Sequence, residues 1–296
     1  MNNHSVRVKR ILWLVGGGCI LLIAVHFLTY FIQPFEIAIS ASAEATWDDF
    51  IINMVTILAV VFSSICATLI LFQYERDEKP RSIWLYVVIG FWLWMIAEII
   101  WMIFNLTETI VPLITIADAF WIIGYFLLTA GLASQYHLLY RPSRLNLILR
   151  VLGFWVFVLA GTILVSWLIN PESSPFSDPG IMLSIFYSIS DLTLGIAALY
   201  FVLTFRGGAM TRPWMGIFIL AIADCLYVWV YESGIYAFTA ATGNIPSLIA
   251  DAMYNIAYLA LGFGFLLHFL LMKFGPSAFQ DRKPVTSLHI QPDSEK

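Results

Sequence analysis

Residues 116–125 read IADAFWIIGY, and the pattern returns at 249–258 as IADAMYNIAY. Each copy sets an aspartate at the edge of an apolar run, with an aromatic three positions on and a tyrosine seven positions on. Two shorter copies lie in the apolar runs just before them, AEIIW at 97–101 and ADCLY at 223–227. Positions i, i+3 and i+7 share one face of a helix. Each carboxylate therefore has an indole or phenol beside it, and Asn105, Tyr125, Tyr231 and Tyr258 continue the face.

The surroundings of these motifs fix the fold class. Of 296 residues, 60% are hydrophobic and 11% charged, with a mean hydropathy of +0.86, whereas soluble domains carry about 25% charged residues. Runs of about 20 apolar residues match a hydrocarbon layer of about 30 Å. Eight occur, near 11–32, 49–73, 83–104, 117–140, 148–169, 184–205, 213–233 and 250–274. The expectation is an all-α integral membrane protein with eight transmembrane helices.

Charge placement orients it. With eight spans, all 15 Lys and Arg fall on one side, the retained, cytoplasmic side of a bacterial inner membrane. Both termini are then cytoplasmic. The first run is too long for a signal-peptide core and is read as a retained helix. The two decapeptides open the fourth and eighth runs, the last of each half. Trp84 and Trp214 open the third and seventh, and Pro112 and Pro246 precede the repeated aspartates. The sequence thus divides into a four-helix repeat over 1–140 and a second over 141–275, parallel because each has an even number of spans. Residues 276–296 read as a disordered cytoplasmic tail.

Acids inside spans are costly. A charged residue at mid-bilayer costs about 2.5–3.5 kcal/mol on insertion scales, and no Lys or Arg lies in a span interior to neutralise Glu98, Asp191 or Asp224. Interhelical hydrogen bonds return only about 0.6 kcal/mol on average. These acids are expected to be protonated, to be hydrogen-bonded to Tyr and Trp, to face an outward-open aqueous cavity, or to pair with a cation from outside. For Asp118 and Asp251, helix capping is the competing explanation. The candidate ligand-binding set is Glu98, Trp101, Asp118, Trp121, Tyr125, Asp191, Asp224, Tyr227, Asp251, Tyr254 and Tyr258. An aromatic wall with carboxylates suits a small cationic or polar ligand.

Other chemistries lack their residues. Cys19, Cys66 and Cys225 are isolated within spans, and His26, His137 and His268 have no metal-ligand spacing. No span interior holds a lysine for a retinal Schiff base. Nucleophile-elbow, P-loop and dinucleotide motifs are missing. No catalytic residue, metal or cofactor is assigned, and nothing points to nucleic acid.

The stretch WLWMIAEIIWMIF followed by ITIADAFWIIGYFLLTAGL resembles the multi-spanning input regions that precede diguanylate cyclase and histidine kinase domains in bacteria. Asp118, Trp121, Gly124, Tyr125, Leu127, Leu128, Gly131 and Leu132 carry the resemblance, and Ala257 replaces the glycine in the second copy. It implies a signal-sensing membrane module. With no output domain in these residues, signalling is expected to pass through a separate cytoplasmic or membrane partner. A small-molecule or proton-coupled transporter and an intramembrane lipid hydrolase are the alternatives.

Overall fold

The computed structural model describes residues 3–35, 37–39, 45–107, 114–141, 143–169, 178–204, 212–236 and 244–279. Its helices are α1 (Asn3–Ile32), α2 (Trp47–Leu71), α3 (Lys79–Thr107), α4 (Ile116–Tyr140), α5 (Arg144–Ile169), α6 (Pro179–Thr204), α7 (Arg212–Glu232) and α8 (Ile245–Phe274), followed by a 3-10 turn, η1 (Pro276–Phe279). All eight α-helices are long and apolar enough to cross a bilayer. The chain is a multi-pass membrane protein.

Capping chemistry, more than hydropathy, sets where the helices begin. Thr46 and Thr115 each close a capping box, accepting a backbone N–H while Asp49 and Asp118 bond back to the cap backbone. Asp48 accepts the Phe35 N–H and ties the preceding turn to α2. α8 starts at Asn244, whose side chain accepts the Ser247 N–H, with Pro246 in the first turn. The apolar run had placed that start near 250. Asp251 therefore lies well inside α8, and capping does not account for it.

Six helices form a ring in the order α2, α3, α4, α6, α7, α8, closing on α2, with α1 outside the α2/α8 seam and α5 outside α4/α6. Small residues draw most seams close. A Cβ on Gly262 of α8 would stand 2.6 Å from Phe62 and 2.9 Å from the Ser63 hydroxyl of α2, and one on Gly195 of α6 would stand 2.7 Å from the Ala221 Cβ of α7. Ser63 also donates to the Tyr258 carbonyl at 2.5 Å. The α4/α6 seam is different, because its backbones stay apart and long side chains bridge the gap. Residues 276–279, read from sequence as the start of a disordered tail, form η1 against α1, with Val8 and Ala278 buried. The rest of that tail, 280–296, lies outside the described residues, as do Pro112 and the outer loop 170–177.

Candidate ligand-binding site

Alternate helices run in opposite directions, so the first halves of α2, α4, α6 and α8 lie level with the second halves of α3 and α7. A cavity of about 170 Å³ opens among these halves, at the end of the bundle where α1, α3, α5 and α7 finish. For scale, an engineered apolar cavity of about 150 Å³ holds benzene. Among the described residues, its wall carries five carboxylates (Asp49, Glu98, Asp118, Asp224, Asp251), eight of the chain's 13 tyrosines, three tryptophans and no Lys, Arg or His. Negative charge in this wall has no cationic counterpart within it.

A phenol from another element positions each acid of the repeated motif. Tyr254 of α8 donates to Glu98 of α3 at 2.7 Å and lies 3.2 Å from the Tyr258 hydroxyl. Tyr187 of α6 donates to Asp118 of α4 at 2.7 Å. Tyr236, in the segment after α7, donates to Asp251 at 2.9 Å. Burial, and then the Asp251 charge, pushes the Tyr236 phenol well above its usual value near 10, so it remains a donor at neutral pH. The Tyr125 hydroxyl of α4 serves two acids, Asp191 of α6 at 2.6 Å and Asp224 of α7 at 3.4 Å.

Ten of the eleven candidate residues line this one cavity: Glu98, Trp101, Asp118, Trp121, Tyr125, Asp224, Tyr227, Asp251, Tyr254 and Tyr258. Asp191 does not. Its side chain is 3% exposed and stands behind the wall, joined to the cavity through the Tyr125 hydroxyl and a side-chain hydrogen bond with Asp224. Asp118 is a capping residue that also lines the cavity: one oxygen accepts from the Thr115 cap and the other from Tyr187. Asp224 and Asp251 are half-buried and line the cavity.

Several lining residues escaped the motif reading. Asp49 carries the signature of a helix start and is a capping residue as well as a wall residue. Tyr187 stands one turn before Asp191, a spacing visible in the sequence. Tyr30, Asn53, Trp94 and Tyr236 belong to no motif copy, and only tertiary packing brings them in.

The glycine in the first decapeptide has a local cause. Trp94 donates its indole N–H to the Trp121 carbonyl at 3.0 Å and crosses the face of α4 at Gly124, where a Cβ would lie 2.1 Å from the indole nitrogen. In the second copy, the residue four positions before the acid is Leu220, not tryptophan, and alanine is tolerated as Ala257. Gly124→Ala is thus expected to displace Trp94 from the wall, seen as a red shift of tryptophan emission in the purified protein.

The wall offers carboxylate oxygens at fixed positions and ring faces between them. Trp101 and Trp121 meet edge to face at 5.8 Å, Trp121 and Tyr187 at 6.2 Å, and Tyr227 and Tyr254 lie 6.0 Å apart. Such faces attract cations through their quadrupoles. Among the described residues, no group of three His, Cys, Asp or Glu is placed to hold a metal ion. Comparisons with protein-family models, curated proteins and solved structures return no match.

Proposed function

We propose that this chain is a membrane sensing or ligand-binding module whose outward-facing acidic and aromatic pocket takes a small cationic or polar ligand. One observation carries the reading: acids and aromatics from all four motif copies line one cavity whose described wall holds no basic residue. A cation entering there gains charge and ring contacts while the acids gain the counter-charge that the wall lacks.

The wider reading places the protein in a bacterial inner membrane with both termini cytoplasmic, in line with the one-sided basic residues. Two parallel four-helix repeats are supported by the ring order, which maps onto itself when α1–α4 are exchanged with α5–α8. Ligand binding would favour one arrangement of the halves, read out by a separate cytoplasmic or membrane partner, as the likeness to signalling input regions implies.

The test is a thermal-unfolding shift of purified protein with small alkylammonium ions and their neutral isosteres. The ammonium compounds are expected to raise the midpoint and the isosteres to leave it unchanged, and the Glu98→Gln/Asp224→Asn double variant should lose the response. A shift kept by that variant, or equal shifts with the neutral compounds, would remove the reading.

Transport is the second reading, favoured by the loose α4/α6 seam, where Tyr125 bridges acids on α6 and α7. Amine uptake into proteoliposomes driven by a pH gradient, and lost in Asp224→Asn, would support it over sensing.

A further inference from the structure

The carboxylates of the cavity are spread out, not gathered at one point. Asp118 stands on α4 and accepts from α6, whereas Asp251 stands on α8 near Tyr30 of α1 and Asp49 of α2. In the ring order, these places lie at opposite seams. Between them come the deeper acids: Tyr187 has Asp118 and Asp224 as charged neighbours, and Tyr227 has Asp251 and Glu98. At the deep end, Asp191 is buried behind Asp224 and hydrogen-bonded to it side chain to side chain. The result is a row of acids crossing the cavity, with aromatic faces between its two ends.

We propose that the ligand is a linear aliphatic diamine, one ammonium at the Asp118 end, the other at the Asp251 end, and its methylenes along the tyrosine and tryptophan rings; this rests on the cation-binding reading above. A monocation pairs with one end and leaves the other carboxylate with its phenol donor but no counter-charge. A diamine supplies both charges in one molecule. Its second ammonium binds at the high effective concentration set by a short tether. The apolar spacer matches the ring faces that separate the ends, which a compact divalent ion would leave uncovered. The roughly 170 Å³ of space suits a short chain.

The experiment is titration calorimetry on the full chain in lipid nanodiscs with 1,4-diaminobutane, 1-aminobutane and 1,4-butanediol. The diamine should bind at least about tenfold more tightly than the monoamine, given the tether, and the diol should not bind. Asp118→Asn and Asp251→Asn should each lower the diamine to the monoamine level, because the second ammonium then has no fixed partner. Equal affinities of monoamine and diamine would overturn the diamine inference and leave the cation reading standing; failure of every amine would overturn both. Should the variants not fold, the wild-type protein decides with diamines of increasing length: a sharp optimum supports two fixed ends, and affinity independent of length overturns them.

Discussion

Replacing Tyr125 with phenylalanine is expected to destabilise the protein more than any other removal of a single hydroxyl. The ring itself has good neighbours, Trp94 at 5.1 Å and Tyr187 at 5.9 Å between centroids, and phenylalanine keeps them. What disappears is the one O–H that reaches both Asp191 and Asp224. Asp191 is only 3% exposed, so the variant strips its Oδ1 of the phenol donor and leaves it with the neighbouring carboxyl of Asp224. An unsatisfied buried polar group costs about 1–3 kcal/mol, and more when charged. The midpoint of unfolding in detergent should fall accordingly. Asp191→Asn in the same chain should recover part of the loss, because an amide is cheaper to leave unpaired than a carboxylate, giving a coupling of about 0.5–3 kcal/mol in a double-mutant cycle. If the two changes simply add, the hydroxyl is not holding the acids together.

The sequence made the membrane architecture legible because hydropathy and charge act over whole helices. Eight runs matched eight helices, and errors in their ends came from local chemistry that averaging hides. Asn244 and Pro246 start α8 several residues before its apolar run, which moved Asp251 from a helix end to the interior.

The candidate site was legible to the extent that it rests on one-face spacing. The acid, the aromatic at i+3 and the residue at i+7 lie together because a helix puts them there, so Glu98, Asp118, Asp224 and Asp251 arrive at the cavity with their rings. The residues that hold those acids were less accessible. Tyr254 reaches Glu98 across 156 positions and Tyr125 reaches Asp224 across 99, and no local pattern encodes such crossings. Asp191 shows the limit of depth as a guide: it lies level with the cavity, but the rotation of α6 turns it behind Tyr125. Whether a residue lines a space depends on rotation about the helix axis, which a single span with a weak polar face leaves open.

The same rotation gives the glycines opposite roles, and Gly216→Val is expected to show it most clearly. A Cβ at Gly216 of α7 would lie 2.4 Å from Leu261 Cδ1 and 2.8 Å from Leu261 Cα. A side-chain methyl can rotate away, but a backbone atom moves only with its helix, so valine must wedge α7 from α8. Overpacking of this kind costs about 1–3 kcal/mol, occasionally more. Asp224 stands on α7 eight residues further on, near the same face, and Tyr254 and Tyr258 stand on α8, so the wedge should also loosen the cavity and weaken amine binding. Gly17, on the exposed face of α1, has nothing within 4 Å of its added Cβ, and alanine is the better helix former by about 1 kcal/mol. Gly17→Ala should therefore leave the unfolding midpoint unchanged or raise it, and leave binding untouched, while Gly216→Val lowers both. Equal midpoints for the two variants would mean that α7 and α8 do not meet at Gly216, and the alignment of Asp224 with the α8 phenols would lose its support.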